Sequence, residues 1–211
     1  MPDDQLDEHI EELNPGAPTT PRAAAGIILM RHGGVHATRG LEVLLGKRTS
    51  QARFMADVWV FPGGAVDGTD DDDGAHRLTA LRELEEEAGV TLPGAEVLVP
   101  FSRWITPEEV KIRYDTRFYL APASPHIAPA PDGAEIVEVG WFSPSDALAR
   151  HRAGELLLVF PTIKMLQTLT NFATPEEALD TVAALTVEPI LPRVDTSGPE
   201  PKILLPGDPG Y

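Results

Sequence analysis

The sequence predicts an α/β/α sandwich with a mixed sheet, continued by C-terminal helices and a proline-rich arm. Three observations point there. Short strand-like runs lie both before and after one long helical segment, the later third carries repeated helix-start chemistry, and prolines interrupt the last 25 residues. The chain has 211 residues, 42% of them hydrophobic, enough for one domain with additions and an ordinary core. No apolar run reaches the roughly 18 residues that a membrane-spanning helix needs.

Residues 1–20 are polar, acidic and proline-bearing, and read as a disordered tail. Ala23–Met30 is an unbroken apolar run, short enough for a buried strand. Arg31–Gly40 contains Gly33-Gly34 and reads as a turn into a second strand, Leu41–Arg48. Arg48–Asp57 is a mostly polar loop, and Val58–Phe61 is a short strand feeding a Pro62-Gly63-Gly64 turn. A helix follows from about His76 to Ala88. Leu81, Leu84 and Ala88 share its apolar side, and Gly89 stands where a C-cap glycine belongs. Ala95–Trp104 and Lys111–Ala121 read as strands. In the second, Ile112, Tyr114, Thr116, Phe118 and Leu120 alternate with Lys111, Arg113, Asp115, Arg117 and Tyr119, giving one greasy and one charged face.

Pro122–Gly133 is a proline-rich loop and Glu135–Phe142 another strand. Ser143-Pro144-Ser145-Asp146 has the order N-cap, proline, x, carboxylate that starts a helix, here ending near Gly154. A further helix covers about Pro161–Phe172. Thr174-Pro175-Glu176-Glu177 repeats the start chemistry for one reaching about Leu185. Val187–Tyr211 reads as an extended arm with a hairpin around Ser197-Gly198. The expected organisation is a tail over 1–20, a central domain over 21–172, and a C-terminal helix and arm over 173–211.

The densest chemistry is on the first helix. Glu83, Glu86 and Glu87 lie three and four residues apart and share one face. Their mutual repulsion costs roughly a few tenths of a kcal/mol per pair. A hard divalent cation with oxygen ligands removes that cost, while a simply solvated face is the alternative. Arg82 is placed to orient the carboxylates by ion pairing, or is an ordinary surface arginine. Glu85 points away and reads as a surface residue. Glu135 and Glu138, after the proline-rich loop, are candidates to accept a proton from water, or surface glutamates. Arg113 and Arg117 share a strand face and suit phosphate contact or pairing with Asp115. Trp104 suits stacking on a base or plain burial. Arg53 and Phe54, in the loop before the Pro-Gly-Gly turn, suit a lid or are ordinary loop residues, and Arg48 at the start of that loop completes the substrate-facing candidates. The six histidines show no ligand spacing.

A net charge of −16 argues against nucleic acid as partner, since that affinity comes largely from basic contacts with phosphates. A small phosphorylated ligand needs only a few local cations and a metal. The absence of cysteine excludes disulfides and thiolate sites and agrees with a reducing cytoplasm, as does an acidic N-terminus without a secretory apolar stretch.

Arg82-Glu83-Leu84-Glu85-Glu86-Glu87-Ala88-Gly89-Val90, preceded by Pro62-Gly63-Gly64, resembles the signature of the Nudix hydrolases, whose second half reads Arg-Glu-aliphatic-x-Glu-Glu-x-Gly-aliphatic. Arg82 falls four residues later than the family spacing from Gly64. A four-residue insertion in the acidic loop Asp70–Gly74 accounts for this and leaves Asp70 where the first box glutamate stands in the family. The resemblance covers roughly residues 22–170. It implies the sandwich fold and hydrolysis of a diphosphate linkage between a nucleoside and another group. It also implies Mg²⁺ or Mn²⁺ on Glu83, Glu86 and Glu87, with a carbonyl of Gly63 or Gly64 completing the sphere. Relatives are often dimers, and the C-terminal arm suits either an interface or a folded-back monomer. Val43–Arg48, Val60–Asp67, Phe101–Pro107 and Arg113–Phe118 look like the coenzyme A and acyl-CoA diphosphatase branch, although Asp57 stands where the full signature has glycine. ADP-ribose or NADH is the alternative substrate class, and a non-catalytic nucleotide sensor the alternative to an enzyme.

Overall fold

The computed structural model describes residues 12–33, 40–52, 55–68, 72–124, 126–198 and 201–211. Its centre is strand β1 (Arg22–His32), whose middle is buried on both faces. β1 pairs antiparallel with β2 (Leu41–Arg48) at one end and with β4 (Gly63–Ala65) at the other, and β3 (Trp59–Val60) pairs with β2. β1 also runs parallel to β6 (Tyr114–Pro122), which pairs antiparallel with β5 (Val99–Ile105). β7 (Ile136–Phe142) lies antiparallel on β2, and β8 (Pro189–Ile190) lies parallel on β5, giving an eight-stranded mixed sheet.

The period of two along β1 sets the layers. Ala25, Ile27 and Leu29 pack under helix α1 (Asp73–Ala88), against Ala80, Leu84 and Ala88. Ile28 and Met30 face the other way, toward α2 (Pro144–Arg152), α3 (Phe160–Leu169) and α4 (Pro175–Ala183). The three-layer arrangement is the one expected. The later helices begin as their sequences indicate: Ser143 accepts from Asp146 N and Thr174 from Glu177 N. Gly89 ends α1 with a left-handed backbone at φ 64°.

Four local expectations need correction. Gly63-Gly64 is not merely a turn but starts β4, hydrogen-bonded to β1. Helix α1 starts before His76, because the Asp72 carboxylate caps Ala75 N at 2.6 Å, so Gly74 sits inside the first turn rather than in a loop. Ala95–Val97 is a 3₁₀ turn that precedes β5. β6 starts at Tyr114 because residues 111–113 are occupied elsewhere: Lys111 N donates to Glu12 O, and Arg22 N donates to Arg113 O.

The first of these contacts, to Glu12, ties down part of the N-terminal segment. Of the expected tail, residues 1–11 lie outside the described residues. Within residues 12–20, Asn14 N donates to Glu109 O and Leu13 bridges Val110. At the other end, β9 (Arg193–Asp195) and β10 (Lys202–Leu204) form an antiparallel hairpin about the expected centre. Its Val194 and Ile203 join the core on the α2–α4 side, so the arm is folded back on the body. Among the described residues no helix is long and apolar enough to cross a membrane.

Arg113 is 7% exposed and donates to the carbonyls of Thr106 and Thr19, closing the loop and the N-terminal segment together. Charge-assisted hydrogen bonds contribute about 1.5–3 kcal/mol. Arg113→Met is therefore expected to lower unfolding free energy by about 2 kcal/mol in urea titrations.

Candidate active site

The site forms where β4 crosses beside α1. Gly63 is there because the β1 backbone leaves no room for a side chain, and Gly64 because a side chain would displace Glu83. A Cβ on Gly63 would meet Ala25 O at 2.6 Å, and one on Gly64 would overlap the Glu83 carboxylate. Gly63 N donates to Glu87 Oε2 at 2.9 Å, locking strand to helix. Glu87 is only 4% exposed, on a helix face that the spacing alone would leave in water.

Arg82 holds the remaining carboxylates. It reaches Glu83 at 2.8 Å and, one turn on, Glu86 at 2.6 Å, with Ala65 O and Asp67 farther along β4 and its exit. The ion-pairing role expected of Arg82 is thus visible in its contacts. The three glutamates fan out rather than close on one point: Glu83 and Glu86 turn to Arg82, and Glu87 turns under Gly63. Among the described residues, no group of three or more acidic or histidine side chains stands close enough as placed to hold a metal ion. The donors nevertheless suit a hard cation in kind. Burial pushes the Glu87 carboxyl up to about 8. The Gly63 hydrogen bond opposes that shift, and the charges of Glu83 and Glu135 reinforce it. Burial raises Glu83 as well, against the pull of Arg82. A cation beside these groups relieves both burial and repulsion.

The open side is a cleft of about 330 Å³. Gly63, Gly64, Glu83, Arg48 and Glu135 line it together with Tyr114, Thr116 and Phe118. Arg48 is brought there by a bulge between Lys47 and Arg48 that shifts the pairing with β7. It pairs with Glu135 at 3.2 Å, while its buried Nε has no hydrogen-bond partner among the described residues. The turn delivering Glu135 is fixed by Asp132, whose carboxylate accepts from Glu135 N and Ile136 N at 3.0 and 2.7 Å. Glu138, the other base candidate, is exposed on β7 and does not line the cleft.

Several sequence candidates lie elsewhere. Arg113 is a structural tie, not a phosphate contact. Arg117 points to the α1 side of β6, 3.9 Å from Asp73, whose other oxygen-bound neighbours are Arg77 and Tyr119. The greasy face of β6, not the charged one, borders the cleft. Trp104 is 6% exposed, edge-on to Phe160, and lines an adjoining apolar chamber instead of the cleft. Arg53, Phe54 and Asp70 lie outside the described residues. Tyr114, Thr116, Phe118 and Asp132 were not singled out from the sequence. The alternation in β6 and the Pro131-Asp132-Gly133 turn were the available signals.

The NUDIX domain family is matched over residues 20–159. A curated relative from Caenorhabditis elegans that carries a nudix hydrolase name is 31% identical over 185 residues, covering 71% of this chain and 61% of its own length. The chain thus spans about three fifths of that relative. A solved NUDIX hydrolase structure from Alicyclobacillus acidocaldarius is 29% identical, with a TM-score of 0.70 over 80% of this chain and 99% of its own. The NUDIX domain of Shewanella oneidensis NrtR, solved with ADP ribose, is 23% identical at a TM-score of 0.54, covering 75% and 92%.

The raised Glu87 carboxyl has a consequence for the metal-free protein. Between about pH 4.5 and 8 the unfolded chain has released this proton and the folded chain has kept it. Folding stability is then full below the lower value and is lost as pH rises through the upper one. Chemical denaturation from pH 4.5 to 8.5 in chelator should show this decline, and Glu87→Gln should flatten it.

Proposed function

The chain belongs to the NUDIX domain family, and on that footing we propose that it hydrolyses the diphosphate linkage of a nucleoside diphosphate derivative. One observation carries the reading. Glu83 and Glu135 face a common cleft along Gly63-Gly64, with Glu87 anchored directly behind Gly63 and Arg48 alongside.

The chemical task is to bring water to a phosphorus surrounded by anionic oxygens. Mg²⁺ or Mn²⁺ would be held by Glu83, Glu86 and Glu87 with a backbone oxygen of Gly64, and when bound would absorb charge developing on the phosphate. Glu135 is suited to take the proton from the attacking water. Its contact with Arg48 at 3.2 Å holds the carboxylate at the rim of the cleft. The Arg48 guanidinium, which lines the same cleft, is suited to contact a phosphate oxygen. Arg82 fixes Glu83 and Glu86, and the glycines let a phosphate approach the backbone.

Within this reaction class a coenzyme A-like substrate has the best support. It rests on the likeness of Val43–Arg48, Val60–Asp67, Phe101–Pro107 and Arg113–Phe118 to that branch. Asp57, which replaces a signature glycine, keeps the left-handed backbone that glycine serves, at φ 59°. The ADP ribose-bound neighbour is alike in fold alone, so ADP-ribose or NADH stands second.

The deciding assay incubates CoA, acetyl-CoA, NADH, ADP-ribose and diadenosine polyphosphates with Mg²⁺ and Mn²⁺, and identifies products by mass. Phosphopantetheine with adenosine 3′,5′-bisphosphate, lost in Glu86→Gln, is the expected result. AMP from ADP-ribose or NADH alone would move the substrate to the second class, and binding without turnover would favour a sensor. Glu135→Gln is expected to lower kcat by about 10²–10⁴ with a much smaller change in KM.

A further inference from the structure

Beside the carboxylate cleft lies a second chamber of about 180 Å³. Met55, Val60, Phe61, Tyr114, Thr116 and Phe118 border both spaces, so the chamber begins where the cleft ends. Its character is opposite to that of its neighbour. Among the described residues no charged side chain lines it, and its walls are aromatic, aliphatic or proline apart from a few hydroxyls and the Trp104 indole. Of those hydroxyls, Thr106 is already engaged with the Tyr114 backbone. A nucleobase carries donors and acceptors around its whole edge, and this lining would leave most of them unsatisfied. A hydrocarbon group meets no such penalty.

The far wall comes from outside the matched family region, which stops at residue 159. Phe160 and Thr162 come from α3, and Pro192 and Ile203 from the C-terminal arm. Ile203 is 7% exposed and held there by its pairing with Val194. The arm therefore both completes the core and shapes the space next to the cleft.

We propose that this chamber receives the hydrocarbon portion of the substrate bonded directly to the diphosphate, with Ile203 of the arm as a specificity-determining wall. The assignment rests on the diphosphatase reading of the cleft and narrows its substrates to those whose second group is apolar next to the phosphate. An apolar cavity of about 150 Å³ holds six carbons as benzene. The chamber accordingly takes a chain or branched segment of about that size.

The test is a series of O-alkyl esters of ADP, from methyl to decyl, assayed for hydrolysis with Mg²⁺ and for binding by calorimetry. Burying a methylene is worth about 0.8 kcal/mol, so kcat/KM should rise about fourfold per carbon to near six carbons and then level or fall. Ile203→Trp, which fills the chamber, should flatten the hexyl-to-methyl ratio. Thr162→Leu fills it from α3 and gives the same reading should Ile203→Trp not fold. A flat series in wild type, with CoA or ADP-ribose still hydrolysed, overturns the chamber and leaves the diphosphatase. Tighter binding of the hexyl than the methyl ester without any turnover supports the chamber and removes the catalytic reading. Equal binding without turnover removes both.

Discussion

The hydrogen bond from Gly63 N to the buried Glu87 carboxylate is the contact on which the rest of the site depends. It joins the last turns of α1 to β4, and β4 is itself paired with the central strand. A carboxylate is an expensive group to bury, and here the backbone donor offsets only part of that cost. The remaining cost makes the position responsive to cations and to pH, which a solvated glutamate on the same helix would not be. Arg82 repeats the link one layer outward, gripping Glu83 and Glu86 while touching the β4 backbone. Helix and strand are thereby registered to each other by charge as well as by packing.

The sheet then presents two kinds of surface to whatever enters. Polar and charged groups gather along Gly63-Gly64, Arg48 and Glu135, and an apolar space opens beyond Phe61 and Phe118. One strand, β6, borders both through its greasy face, while its charged residues are engaged on the other face, Arg117 near Asp73 and Asp115 in a two-point pair with Arg103. A ligand with an anionic middle and an apolar end matches that sequence of environments without rearrangement of the core.

Much of this was legible wherever local chemistry decides structure. Leu41–Arg48 is a strand from end to end as read, and Gly89, Ser143 and Thr174 cap their helices as their residue types require. The shared face of Glu83, Glu86 and Glu87 follows from their spacing, while the resemblance to a known signature singled them and Arg82 out. What escaped was set by tertiary partners. Gly63-Gly64 has no strand propensity and becomes β4 only because β1 and Glu87 hold it. Arg113 turns inward because two carbonyls distant in sequence, those of Thr19 and Thr106, meet beside it. Alternation in β6 was plain, but alternation does not say which face meets a cleft. For that reason Arg117 was placed in the site while Thr116 and Phe118 were not.

The pairing of β1 with β6 also bears on how the molecule comes to exist. Ala25 lies opposite Arg117 in a parallel ladder, so the strand at the centre of the sheet finds that neighbour only after most of the chain has been synthesised. Closing so long a loop costs entropy before any contact repays it, and topologies of this kind fold slowly. Until then a strand with an uninterrupted apolar middle has one edge bare during synthesis. β2 and then β4 cover the two ends of the opposite edge earlier, leaving the β6 edge as the stretch most exposed to mispairing with another nascent chain.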